Sequence, residues 1–271
     1  MPELPEVETT RRGIEPHIRG HTVSGLIVRQ RQLRWPVPAR LSQYLRGHPV
    51  DAVRRRGKYL LLSVGSGTLI VHLGMSGSLR IIRNGEQPGT HDHIDLLLDN
   101  GTCLRFTDPR RFGAWLWTRD AAERHPLLAT LGPEPLDEQF DAAYLHDRAR
   151  GRKLAVKSFI MDSHVVVGVG NIYANEALFR AGIHPGRAAG RIGLQRYRQL
   201  TDAIKAVLEE AIRQGGTTLR DFVDGEGKPG YFSQQLQVYG RRDAPCPRCA
   251  APLRETRIGQ RSSFYCPICQ R

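Results

Sequence analysis

Apolar positions along this chain change period twice. From Pro5 to Ile18 a helix is predicted, because Val7, Ile14 and Ile18 recur on one face and Pro5, Glu6 and Glu8 suit a first turn. Residues 22–118 then break into short apolar runs: Tyr59–Val64, Leu69–Leu73, Ser78–Ile82, Ile94–Leu98 and Ala114–Trp117. Gly-rich or Asn-Gly turns such as Asp99-Asn100-Gly101 separate them. Five or more such strands predict a β-sandwich or barrel.

Past residue 120 the period becomes helical. Leu131–Leu136 reads as a linker. Gln195–Arg213 is the clearest helix, apolar at Tyr197, Leu200, Ile204, Val207, Leu208, Ala211 and Ile212 and ended by Gly215-Gly216. Asn171–Phe179 reads as another helix with Asn171 as its N-cap. Phe222–Phe232 is glycine-rich and is expected to be a mobile loop. The segment from Cys246 onward is too short for an apolar core of its own, so a metal is expected to hold it. The expected class is α+β: a helix plus β-sandwich domain over 1–130, a helical domain over 131–240 and a finger over 241–271.

Charge adds a partner. Of 271 residues, 40 are Lys or Arg and 27 are Asp or Glu, a net charge of +13 that points to a polyanion. The cations cluster, as in Arg54–Arg56 with Lys58, Arg110-Arg111 and Arg241-Arg242, which favours phosphate contact. No apolar run approaches the roughly 20 residues of a membrane span, and no signal-peptide pattern opens the chain, so a cytoplasmic location is expected. Four of the five cysteines form Cys246-x2-Cys249 and Cys266-x2-Cys269, separated by 16 residues. That is zinc-ribbon spacing, and four thiolates close a tetrahedron, so one structural zinc ion is expected. Cys103 stands alone in a strand-like setting and reads as a buried small apolar residue.

The start of the chain offers a nucleophile. Removal of Met1 leaves Pro2 as a secondary amine next to Glu3. An α-amine has a pKa of about 7.7–8.0, so a useful fraction is neutral near pH 7. Its adduct with a sugar C1′ is a cationic iminium, an electron sink that promotes elimination of neighbouring phosphate.

The string Met1–Thr9 (MPELPEVET) closely resembles the start of bacterial formamidopyrimidine-DNA glycosylases, also called 8-oxoguanine DNA glycosylase/AP lyases. The resemblance runs the whole length, through Arg56-Gly57-Lys58, His72–Gly77, Thr107–Gly113, Val167–Tyr173, Gly215–Leu219, Gly227–Phe232, Gln237–Arg241 and the cysteine finger. It implies removal of oxidised purines from duplex DNA, followed by β,δ-elimination through a proline iminium. The helical part becomes a helix–two-turn–helix domain, and the protein is expected to be a monomer. Pro2 resembles the nucleophile, Glu3 the proton relay and Lys58 a lysine that grips phosphate and assists the chemistry. Met75, Arg110 and Phe112 resemble the trio that fills the gap left by the extruded nucleotide: an apolar wedge, an aromatic stack and a hydrogen-bonding arginine. Lys157, Asn171, Tyr239 and Arg261 resemble residues that hold the DNA backbone, and His72 and His91 join them as candidate contacts. Glu6 and Glu176 are secondary candidates that support the site. Thr217–Phe232 resembles the loop that closes over the everted base. His91 and His93 are not read as a metal pair. The runner-up is an endonuclease VIII-like enzyme for oxidised pyrimidines. A non-catalytic zinc-ribbon binding module and an inactive paralogue rank lower, since neither gives the N-terminal string a role.

Overall fold

The structure is a computed structural model and describes residues 2–216 and 235–271. The expected loop Phe222–Phe232 and its wider segment Thr217–Phe232 lie outside the described residues. The chain divides into two compact units, passing from the first to the second between Ala129 and Thr130.

The first unit opens with α1 (Leu4–Ile18) and continues through β1 (Val23–Val28), α2 (Leu41–Leu45), β2 (Val50–Arg56), β3 (Tyr59–Val64), β4 (Gly67–His72) and β5 (Ser78–Arg83). β6 (Asp92–Leu98), β7 (Thr102–Thr107), β8 (Ala114–Thr118) and the short α3 (Pro126–Ala129) complete it. The strands form two antiparallel four-stranded sheets, ordered β1-β6-β7-β5 and β2-β3-β4-β8. Alternate residues of both sheets share one core: Leu60, Leu62, Val64, Leu69 and Val71 pack with Ile94, Leu96, Leu104 and Phe106. Each fully buried aliphatic or aromatic side chain there is worth about 1.5–3 kcal/mol. All five expected runs are strands. β1, β2 and β7 carry weaker signals; β2 ends in Arg54–Arg56 and buries only Val50 and Val53 deeply.

Helix α1 touches β2 and β3 of one sheet and β5 and β7 of the other, so it bridges the sandwich. Glu8 fixes it there, accepting from Arg11, Arg12 and the β2 residue Arg55. Burial alone pushes the Glu8 carboxyl up, but the Arg11 and Arg12 guanidinium groups outweigh it and pull the pKa down to about 2.

Behind β6 and β7, Asp95 and Arg105 stand opposite each other in register and form two 2.8 Å hydrogen bonds. Arg29 reaches Asp95 at 2.6 Å. Arg105 also donates to the Glu86 and Gln87 carbonyls at 2.8 and 3.1 Å, tethering the turn between β5 and β6. Cys103 is buried, as expected, and burial with the Asp95 charge pushes its thiol up to about 12. That makes it unreactive.

The second unit contains α4 (Ala142–Ala149), α5 (Val156–Ile160), α6 (Asn171–Arg180), α7 (Leu194–Arg213) and the hairpin β9 (Arg254–Ile258)–β10 (Arg261–Tyr265). α7 packs on α4 and α6 and buries Tyr197, Leu200, Ile204, Val207, Leu208 and Ala211, matching the expected face. Asn171 is not the N-cap of α6: Gly170 takes that position with extended backbone, and Asn171 is the first helical residue. The hairpin shares a small core with α6, in which Phe179 meets Val238, Leu253, Phe264, Cys246 and Cys266. The finger is therefore built onto the helical unit.

Candidate active site

At the start of the first unit, Pro2 and Glu3 are both buried. Glu3 is the N-cap of α1 and forms a capping box with Glu6, whose carboxylate accepts from the Glu3 N–H at 2.8 Å. The box sets the direction in which the chain enters the helix, and hence the place of the Pro2 nitrogen.

Lys58 sits in the two-residue turn between β2 and β3, where Arg56 pairs with Tyr59 and Gly57 takes φ 55°. A glycine at the first central position suits this hairpin, because it accepts positive φ without strain. Tyr59 and His72 are register partners, their rings 4.8 Å apart. The His72 Nδ1 accepts from the Gly74 N–H at 3.0 Å. Burial, then the positive charges of Lys58 and Arg34, hold the His72 imidazole down at about 4. His72 is therefore a neutral hydrogen-bonding ring near pH 7.

These shifts predict an acid limit for the first unit. Between pH 6.5 and 4 the unfolded chain protonates His72 and the folded chain does not, so stability falls. Between 4.5 and 2 the same holds for Glu8. Thermal melts from pH 7 to 3 will show both losses. His72→Gln will flatten the upper limb and Glu8→Gln the lower; limbs unchanged in these variants would assign the acid limit to other groups.

Met75 and Phe112 are exposed at 38% and 42%, unusual for such side chains, and sit at the tips of two turns. The Arg110 guanidinium lies 4.8 Å from the centre of the Phe112 ring. The two turns abut backbone to backbone: a Cβ on Gly74 would lie 2.4 Å from the Phe112 carbonyl carbon, so only glycine fits. His91 is exposed and its carbonyl accepts from the Asp108 N–H at 3.0 Å, whereas His93 is buried with Nε2 2.8 Å from the Asp108 carbonyl. A carbonyl only accepts, so the proton is on Nε2. Among the described residues, the cysteine quartet is the one His/Cys/Asp/Glu group arranged for a metal, and the two histidines are not part of it.

In the second unit α6 gathers the candidates. The buried Glu176 carboxylate accepts from the Gln237, Val238 and Tyr239 N–H groups at 2.9, 3.0 and 2.8 Å, fixing the turn that presents Tyr239. Asn175 accepts from the Phe264 N–H at 2.8 Å and donates to the Asn171 carbonyl at 2.6 Å, joining β10 to the first turn of α6. Arg261 is exposed at the hairpin tip, where Gly259 and Gln260 take φ 55° and 62°, as a type I′ turn requires. Lys157 is placed differently from the expected DNA-facing lysine. It is 1% exposed, and its ammonium donates to Ser262 O and Ser263 Oγ at 2.6 and 2.7 Å, bracing the same hairpin. Sequence reasoning ranked Glu176 low and did not single out Asn175 or Asp108; Glu176 and Asn175 act through backbone partners far away in sequence, and Asp108 through the Ser76 hydroxyl 32 residues distant.

The four cysteine sulfurs lie within 4.8 Å of one another, Cys246–Cys269 at 3.9 Å and Cys249–Cys266 at 3.5 Å. A tetrahedral zinc ion with Zn–S near 2.3 Å separates its sulfurs by about 3.8 Å, so the quartet fits one. Arg248 and Cys269 N–H groups point at the Cys246 and Cys266 sulfurs at 3.4 Å each, as thiolate ligands want. The quartet holds one structural zinc ion.

Comparison with known proteins agrees along the whole chain. Residues 1–115 match the Formamidopyrimidine-DNA glycosylase N-terminal domain, 131–223 the H2TH domain of the same enzymes and 244–271 the zinc finger found in FPG and IleRS. The Formamidopyrimidine-DNA glycosylase of Methylococcus capsulatus is 64% identical over 100% of both chains. The structure of wild-type Lactococcus lactis Fpg (MutM) with DNA containing N7-benzyl-Fapy-dG is 32% identical, covers 100% of both chains and superposes with a TM-score of 0.92. A Lactococcus lactis Fpg complex with abasic-site DNA is 31% identical over 99% of both chains, with a TM-score of 0.91. The chain is a zinc-finger DNA glycosylase and belongs to the formamidopyrimidine-DNA glycosylase family. Among the described residues, no helix is long and apolar enough to cross a membrane.

Proposed function

We propose that this chain excises oxidised purines from duplex DNA and then cuts the strand itself, as an AP lyase with Pro2 as nucleophile. The observation that carries this is the buried Pro2–Glu3 start, held by the Glu3–Glu6 capping box at the positive end of α1. A frayed terminus needs no such clamp. The abasic-site DNA held by the Lactococcus lactis relative fits the second step.

Cations and helix termini bind the phosphates, and the lesion nucleotide leaves the stack at a cost of a few kcal/mol, less for a damaged base. The Pro2 nitrogen attacks C1′; the C1′–N9 bond breaks, and the base departs with the electron pair and takes up a proton. The C1′–O4′ bond then opens to give the iminium, with Glu3 supplying the proton to O4′. Loss of the C2′ proton expels the 3′ phosphate, and loss of the C4′ proton expels the 5′ phosphate. Lys58 holds a phosphate beside the reacting sugar. Met75, Arg110 and Phe112 occupy the vacated space, and His72, His91, Asn171, Tyr239 and Arg261 hold the backbone, with Lys157 bracing the hairpin that carries Arg261. Cys246, Cys249, Cys266 and Cys269 would hold zinc, which would maintain the finger; with four thiolate ligands the ion would have no position for a reacting water.

The test is a panel of duplexes carrying 8-oxoguanine, a formamidopyrimidine or an oxidised pyrimidine. The expected product is a one-nucleotide gap with phosphate at both ends, formed fastest on the purine lesions. Faster release of the pyrimidine would move the assignment to the endonuclease VIII-like reading. Free base without strand cleavage would remove the lyase step.

A further inference from the structure

We propose that Asp108 is a positioning residue for lesion extrusion, because it fastens Met75, Arg110 and Phe112 into one rigid wedge. This rests on the glycosylase function proposed above and deepens it. Asp108 is wholly buried, and both its carboxylate oxygens are in use. Oδ1 accepts from Ser76 Oγ at 2.8 Å, and Oδ2 accepts from the Gly113 N–H at 2.8 Å. Ser76 Oγ gives its one proton to Asp108 and accepts from the Arg110 N–H at 3.2 Å. Each wedge residue is thus one step from the carboxylate. Met75 precedes Ser76, Phe112 precedes Gly113, and Arg110 is held by its own N–H through Ser76.

The main chain of Asp108 extends the clamp. Its N–H donates to the His91 carbonyl at 3.0 Å, and its carbonyl accepts from the Arg111 N–H at 3.2 Å and from His93 Nε2 at 2.8 Å. Arg111 is held at φ 57°, in the left-handed region, within this turn. Three segments therefore meet on a single residue: the turn after β4, the turn before β8, and the entry to β6. Glycines complete the fit. A Cβ on Gly113 would lie 2.5 Å from Phe106 Cζ and 3.1 Å from Asp108 Oδ2.

A wedge transmits force only if its tips do not retreat. Opening a base step costs a few kcal/mol, and side chains on loose turns yield instead of parting the stack. A buried carboxylate with both oxygens hydrogen-bonded is a stiff anchor. A carboxamide of the same volume is not equivalent. Turned so that its oxygen meets the Gly113 N–H, it presents a donor to Ser76 Oγ in place of an acceptor, so the Ser76 proton loses its partner and the Ser76 hydroxyl must turn away.

The experiment compares wild type, Asp108→Asn and Ser76→Ala in single-turnover base release. One substrate has 8-oxoguanine paired with cytosine; the other has the same lesion in an unpaired bulge, where nothing must be opened. Both variants should lose rate on the paired lesion, about 10²-fold for Asp108→Asn as for a wedge displaced by an ångström, and less for Ser76→Ala. Both should stay near wild type on the bulge. Equal loss on the two substrates would make Asp108 a purely structural residue and overturn the proposal, as would no loss on either. If Asp108→Asn does not fold, the Ser76→Ala ratio decides alone. A wild type silent on both substrates would instead overturn the glycosylase function beneath.

Discussion

A version of this chain with one extra residue left in front of Pro2 will bind damaged duplex and cut nothing. The extension turns the secondary amine into an amide, whose nitrogen lone pair is delocalised and no longer attacks carbon. Removing a nucleophile costs on the order of 10⁴-fold or more in turnover, and borohydride, which reduces the iminium in the free-amine protein, will trap no adduct. Binding to a non-cleavable abasic analogue should persist, because Lys58, Arg110 and the second unit's contacts are untouched. Pro2→Gly, with Met1 removed, supplies the control: it restores an amine and should restore trapping, though at lower yield without the fixed ring. Incision by the extended chain, or an adduct mapped to Lys58, would keep the enzyme class and discard Pro2 as nucleophile.

Loss of the metal should be nearly as damaging, by a different route. Structural zinc in finger peptides contributes an apparent binding free energy of about 10–16 kcal/mol, far more than a hairpin of two five-residue strands provides. Cys266→Ser, or prolonged chelation, will therefore unfold the hairpin. Phe264 then leaves its contact with Asn175, Arg261 loses its turn, and Lys157 loses its two partners. Under the proposed function, a charge-assisted phosphate bond from Arg261 alone, at about 1.5–3 kcal/mol, would be worth roughly ten- to a hundredfold in affinity. Gel shifts on a lesion duplex should show at least that loss. The first unit, with its own sandwich core, should keep its melting transition. Unchanged affinity in the metal-free protein would mean that the finger does not contact DNA.

Much of this was legible in the sequence, for reasons that differ by region. The strands from Tyr59 to Trp117 announce themselves because both faces are largely covered, so their apolar runs are nearly continuous. β2 is harder to see, because its arginines serve the surface and α1 while only two of its residues go deep. The zinc quartet is legible from spacing alone, since chelation geometry constrains the intervals. Asn171 was displaced by one position because Gly170, with no side chain to advertise a cap, takes the extended backbone. Lys157 illustrates another limit: a lysine in a basic region reads as a phosphate contact, yet tertiary structure seats its ammonium on a hairpin 105 residues away. Asp108 is hidden for the same reason. Its partner Ser76 is 32 residues distant, and only the folded pair of turns brings them together.

The burial of Pro2 also sets a schedule for synthesis. In the proposed chemistry Met1 must be trimmed, and a peptidase acts most readily before Pro2 is buried at the start of α1. The sandwich is incomplete until β8 emerges, ending at Thr118. At bacterial and eukaryotic elongation rates of about 5–20 residues per second, that leaves roughly 6–24 s of nascent chain with its first residues exposed. Processing has to fall inside that interval, so folding itself closes the door on maturation. Conditions that outrun the processing peptidase, such as strong overproduction, would yield molecules that are correctly folded, fully metallated and permanently inert.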